Sequence, residues 1–168
     1  VTTSRSCGSR EEHGKRARDR ALFYLGVKER SCREVQQWLR RKGYREEEIV
    51  EAIEDLRGHG LLDDLRLAEM ITRRALLRGW GRTRALAEME SRGIDRETAE
   101  SALNGEYVDD EAEVAMKAAL ARWEKMGGEA AVRERKLISW MARMGYSTST
   151  VIRVLERIRG QPVGDPFP

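Results

Sequence analysis

Arginine is the residue type with the most chemistry to offer in this chain, and it is densest between Arg66 and Arg84. Arg73, Arg74 and Arg78 precede a Gly79-Trp80-Gly81 break, and Arg82 and Arg84 follow it directly. Guanidinium groups carry paired donors that match phosphate and carboxylate oxygens. A tryptophan among them could stack on a base or fill a partner's pocket. Trp80 suits equally well a plug between two helices. On an ideal helix Arg66 and Arg73 lie opposite Ala68, Ile71 and Ala75, which leaves a basic side and an apolar side. The competing reading makes these arginines solvated faces and intrahelical ion pairs, as for Arg66 with Glu69, and the sequence weighs the two evenly. Two shorter basic runs, Arg40-Arg41-Lys42 and Arg133 with Arg135 and Lys136, extend the candidate contact set.

Other chemistry is poorly supplied. Asp63-Asp64 and Asp109-Asp110 resemble paired carboxylates for acid–base or metal work, but both stand where helices begin, and capping accounts for them. Cys32 follows a capping serine and has no general-base motif beside it, so a structural thiol is the simpler reading. Cys7 and Cys32 make neither a disulfide framework nor a zinc pattern. His13 and His59 lack metal-ligand partners at useful spacing, and no Walker-type phosphate loop occurs. No catalytic residue, metal or cofactor is expected, and the chain reads as a non-enzyme.

The elements that must position these arginines are helices. All three prolines lie at Pro162 or later, so no helix breaker interrupts the preceding chain. β-branched residues nowhere alternate over a strand's length. With 40% hydrophobic and 36% charged residues, the chain has apolar material for helix cores and a large solvated surface. The formal charge of +3 is spread thinly. A dedicated duplex-DNA binder needs a stronger basic excess, so nucleic-acid contact would be local and weak, and a protein partner fits as well. The N-terminus has no apolar leader and no run approaches a membrane span, which predicts a cytoplasmic protein with no membrane contact.

A pattern recurs at roughly fifty-residue spacing. Gly43, Gly93 and Gly145 are each preceded four residues earlier by Leu39, Met89 and Met141, and followed directly by Tyr44, Ile94 and Tyr146. Ile49, Ala99 and Val151 form a third column, and Ile53, Leu103 and Leu155 a fourth. Trp38 and Trp140 share a further column, where a structural role is favoured. Ser31-Cys32-Arg33-Glu34 is a capping-box sequence, and Asp95 and Ser147 stand where helix caps are needed. Leading helices are expected from about Gly14 to Val27, Asp64 to Arg78 and Asp110 to Lys125. Met70 and Leu77 form a second apolar edge that suits packing on a neighbouring unit. The predicted fold is all-α, an elongated tandem array of three three-helix repeats, about nine helices. Its expected parts are a disordered tail at 1–13, repeats at 14–60, 61–107 and 108–159, and a flexible tail at 160–168.

The motifs Gly60-Leu-Leu-Asp-Asp-Leu-Arg-Leu-Ala-Glu69, Arg78-Gly-Trp-Gly-Arg-Thr-Arg84 and Ser91-Arg-Gly-Ile-Asp95 strongly resemble the RecX family, bacterial regulators of the RecA recombinase. Ala21-Leu22 with Leu25, Arg30-Ser31 with Glu34-Val35 and Leu39, and Lys42-Gly43-Tyr44 agree, as do Leu137, Met141 and Arg143 through Ser147. The resemblance spans about Lys15 to Arg159. Leu67 stands where the family usually has an aromatic residue, and Thr83 where it has a longer apolar one. The resemblance implies a monomer that binds the RecA filament on single-stranded DNA and limits its extension, ATPase, strand exchange and co-protease activity. The contact residues expected on that basis are Arg66, Arg73, Arg74, Arg78, Trp80, Arg82 and Arg84, helped by Arg40, Arg41, Lys42, Arg133, Arg135 and Lys136. A stand-alone helix-turn-helix DNA binder is the alternative, but the helix after the first turn begins Glu46-Glu47-Glu48 and would repel a major groove. A generic helical scaffold for another protein is the third possibility.

Overall fold

The computed structural model of the chain describes residues 6–107 and 111–160. Among these, nine α-helices and no strand occur: α1 (Ser6–Leu25), α2 (Cys32–Arg41), α3 (Glu46–Gly58), α4 (Asp64–Leu77), α5 (Arg82–Ser91), α6 (Arg96–Glu106), α7 (Glu111–Trp123), α8 (Ala130–Arg143) and α9 (Thr148–Arg159). They form three successive three-helix repeats. None is long and apolar enough to cross a membrane.

The first helix corrects one expectation. It begins at Ser6 rather than near Gly14, so residues 6–13 are helical and not a disordered tail. Arg10, Glu11, Glu12 and Lys15 favour helix while Gly8 and Gly14 oppose it, and with no proline to stop it the helix propagates from the packed part toward the N-terminus. Residues 1–5 and the tail from 161, like Asp109 and Asp110, lie outside the described residues.

Local signals fix the other helix starts. Ser31 accepts from the Glu34 amide at 3.1 Å while the Glu34 carboxylate accepts from the Ser31 amide at 2.8 Å, a reciprocal capping box. Asp63 accepts from the Arg66 amide at 2.9 Å, Asp95 from the Thr98 amide at 2.9 Å, and Ser147 from the Thr150 amide at 3.1 Å. Helix α3 starts differently. Arg45 precedes it and offers no acceptor, so Glu48 reaches back to take the Arg45 amide at 2.9 Å. Gly43, Gly93 and Gly145 take left-handed backbone angles that end α2, α5 and α8.

The repeated columns are the core. Leu39, Met89 and Met141 are each fully buried, and Ile49, Ala99 and Leu103 are equally sealed. Burying each large side chain of this kind contributes about 1.5–3 kcal/mol. Leu67, at the position where an aromatic was expected, is buried, whereas Thr83 is exposed.

Two compact units divide the chain, one running to Ala68 with Met89–Ala99, the other holding Glu69–Glu88 and everything from Glu100. The division falls inside α4, α5 and α6. In the first unit α1, α2 and α3 pack around Ala17, Val35, Leu39, Ile53 and Leu56. Trp38 stacks on Tyr24 there, rings 4.5 Å apart and within 6° of parallel, so this tryptophan is structural. In the second unit α7, α8 and α9 pack around Ala115, Leu137, Met141, Val154 and Leu155.

Candidate functional site

Helix α4 ends in a Schellman turn: Trp80 N–H donates to the Ala75 carbonyl at 2.9 Å and Gly79 N–H to the Leu76 carbonyl at 3.0 Å. That turn sets Trp80 beside two guanidinium groups. Arg84 lies 4.2 Å from the ring centroid and Arg78 lies 5.5 Å from it. The indole is half-buried. Its turn is tied down by two tyrosines, with Tyr146 donating its hydroxyl to the Gly79 carbonyl at 2.8 Å and Tyr107 to the Trp80 carbonyl at 3.0 Å. Burial and the nearby Glu111 carboxylate push the Tyr107 hydroxyl up to about 12, with Arg82 opposing, so it remains a donor at neutral pH.

The arginines around this turn separate into fixed and presented groups. Arg84 donates to the Arg143 carbonyl at 3.4 Å and lies 3.3 Å from the Met144 sulfur. The Arg82 amide donates to Glu111 at 2.8 Å, and its guanidinium bonds Asn104. Arg73 is engaged within the protein. Arg74 and Arg78 are exposed, and neither meets a carboxylate among the described residues. Cation–π attraction to Trp80 orients Arg78 without satisfying its donors.

The remaining candidates are dispersed. Arg66, in the first unit, is exposed and 3.8 Å from Glu29. Arg40 makes a two-pronged pair with Glu46, and Lys42 stands 5.6 Å from the Trp38 ring, while Arg41 is exposed. In the second unit Arg133 turns inward, 4.0 Å over the Trp123 ring and donating to the Trp123 carbonyl at 2.8 Å. Arg135 and Lys136 are exposed and line a groove of about 520 Å³. Arg122, Lys125 and Arg143 complete its basic lining. Those three are not among the contact residues expected from the sequence. The available signal was the Lys136–Arg143 spacing, two helical turns that put both on one face of α8 with Ser139 and Trp140 between them.

Both repeat-to-repeat junctions are built on one plan. In the first unit Ser31 donates its hydroxyl to the Arg92 carbonyl at 2.5 Å. In the second unit Gly81, which holds the same position before its helix, donates its amide to the Met144 carbonyl at 2.7 Å. Each accepting carbonyl belongs to the residue just before a repeat glycine. The side chains beside these bonds differ. At the first junction Arg92 pairs with Glu34 at 2.7 Å and also donates to the Glu29 carbonyl at 2.7 Å. At the second, Arg84 and Met144 hold the corresponding places. Burial pushes Glu34 up, but hydrogen bonds from Arg92 and the Ser31 amide, with the charges of Arg92 and Arg30, outweigh it and hold its carboxyl below the ordinary value.

Cys32 sits beside the first junction, with its amide donating to Asp64 at 2.9 Å. Burial, then the charge and hydrogen bond of Asp64, push its thiol up to about 11, which suits a structural cysteine.

Residues 17–56 match the first three-helix domain of RecX, and residues 63–103 match the second. The regulatory protein RecX of Prosthecochloris aestuarii is 31% identical over 145 residues, covering 86% of this chain and 94% of that protein. That of Amycolatopsis mediterranei is 34% identical over 151 residues, covering 87% and 85%. The crystal structure of RecX from Lactobacillus salivarius superposes with a TM-score of 0.78 at 21% identity, over 89% of this chain and 98% of that one, a likeness of fold. With shared repeats, shared motifs and identity across most of its length, this chain belongs to the RecX family of regulatory proteins.

Proposed function

We propose that this protein is a negative modulator of a RecA recombinase, binding its filament on single-stranded DNA and limiting filament extension, ATPase, strand exchange and co-protease activity. The observation that carries the reading is family membership over most of the chain, joined to a set of exposed cations with no internal carboxylate partner. Arg74 and Arg78 on the middle repeat are the leading contacts, because their donors are open to a partner's carboxylates or to phosphate. Arg82, Arg84 and Arg133 serve the reading differently, as supports that hold the Trp80 turn and α8 in place. Trp80, with the guanidinium groups of Arg78 and Arg84 over its ring, gives the face an aromatic anchor that loses little entropy on binding.

The testing experiment is RecA ATPase on single-stranded DNA with substoichiometric amounts of the full chain and the cognate recombinase at low salt. Inhibition at well under one molecule per recombinase subunit is expected. Unchanged ATPase across that range excludes the reading.

A further inference from the structure

We infer that the basic groove between α7 and α8 is a binding site for a single-stranded nucleic acid, engaging its phosphates with five cations and a base with Trp140. The inference deepens the filament reading by assigning the DNA strand to this groove, and it rests on that reading only for where the strand is met.

The groove is made where the last turn of α7 meets one face of α8. Helix α7 and the turn after it supply Arg122 and Lys125, and α8 supplies Arg135, Lys136 and Arg143. All five are exposed, and none has an ion-pair partner among the described residues. Other cations of this chain do find carboxylates: Arg40 meets Glu46, Arg92 meets Glu34, and Arg159 meets Glu134 at 2.6 Å. Five like charges gathered without a counter-charge repel one another and raise the local potential, which favours a ligand carrying several negative charges.

Two features select the ligand. At about 520 Å³ the groove is far larger than one phosphate needs and has room for a nucleotide. Trp140 is half-buried and lines it, giving an aromatic surface beside the cations. A base stacks on such a surface whatever its identity, and arginines track the backbone, which is how sequence-tolerant single-strand binding works. An acidic peptide would use the cations and leave the indole idle. A duplex keeps its bases stacked inside and cannot offer one to Trp140.

The test measures fluorescence anisotropy of a labelled oligothymidylate titrated with the full chain, in the absence of recombinase. Competitors are the corresponding duplex and polyglutamate of matching charge. Salt-dependent binding is expected, with the single strand preferred over both competitors. The Lys125→Glu, Lys136→Glu double variant is expected to bind at least about tenfold more weakly, with the salt slope reduced by about 0.7 per lost phosphate contact. The milder Lys125→Gln, Lys136→Gln variant, with wild-type circular dichroism, is expected to lose affinity in the same direction and guards against misfolding. Wild-type affinity in both variants overturns the site. Equal or stronger binding of polyglutamate assigns the groove to an acidic protein segment instead, and equal binding of the duplex removes Trp140 from the mechanism. Because recombinase is absent, failure here leaves the ATPase reading standing, and loss of ATPase inhibition alone leaves this site standing.

Discussion

A β-carbon on Gly145 would lie 2.5 Å from the backbone nitrogen of Arg84, so the glycine that ends α8 touches the start of α5 directly through backbone. Gly93 is also closely approached within the first unit, but by a side chain: a β-carbon there would lie 2.7 Å from the β-carbon of Arg33 and closer still to its Cδ. Gly43 has the same left-handed backbone but nothing within 4 Å. The repeat glycine therefore does two jobs: it ends a helix, and in later repeats it lets the preceding repeat approach.

Gly43→Ala and Gly145→Ala should separate those jobs. The first bears only the left-handed penalty, about 1 kcal/mol. The second adds overpacking against Arg84, for a total of about 2–4 kcal/mol. Urea denaturation of the two variants beside wild type is the measurement. Equal destabilisation would show that close approach contributes nothing.

Acid should weaken the junction between α2 and the end of α5. The folded-state value of Glu34 is depressed, so its stabilising contribution is present above the ordinary carboxyl value of 4.5 and is lost as pH falls through the lower folded value. Glu34→Gln should therefore cost about 1–2 kcal/mol near neutrality, and the gap to wild type should close as pH falls below 4.5 and through the depressed folded-state value. Thermal melts of both proteins across that range check the sign. A gap that widens in acid contradicts it.

Reversing charge on the presented arginines should affect binding and spare the fold. The Arg74→Glu, Arg78→Glu double variant should keep wild-type helicity and lose only about 1–2 kcal/mol of stability, from acids at the negative end of α4 and the lost Arg78–Trp80 contact. It should need about tenfold more protein for half-inhibition of recombinase ATPase, equivalent to about 1.4 kcal/mol. Arg84→Glu, by contrast, should lower the melting midpoint, because it removes the group spanning Trp80 and the end of α8. Unfolding of the Arg74, Arg78 variant would place those two among the structural arginines.

Cys32 should be a slow thiol. With its value pushed up to about 11 it is on the order of one part in a thousand thiolate at about pH 8, against about a quarter for a free cysteine. In a Cys7→Ser background, labelling by a disulfide reagent should run at least about tenfold slower than for a small free thiol, allowing for the higher intrinsic nucleophilicity of a more basic thiolate. Labelling at the free-thiol rate would mean that Cys32 is neither buried nor held beside Asp64.

Much of the fold was legible in the sequence because its signals are local. Capping by Ser31, Asp63, Asp95 and Ser147 acts within one helical turn, and the columns through Leu39, Met89 and Met141 needed only periodicity and repetition to be seen as core. The start of α1 at Ser6 is not legible, because a polar segment without apolar periodicity looks the same whether helical or disordered.

The site was legible only as a composition. An arginine looks alike in sequence whether it crosses to another helix or points outward. What separates Arg82, Arg84 and Arg133 from Arg74 and Arg78 is the distance to Asn104, Arg143 and Trp123, residues far along the chain or across a turn. The groove of Arg122, Lys125, Lys136 and Arg143 exists for the same reason, since its members come from two helices joined by a turn. By itself the sequence determined the helices, their caps, the repeat and the family, because each is written in neighbouring residues or in recurring ones. The tertiary structure decided which cations are tied down and which are offered together, because that depends on where separate helices are brought into contact.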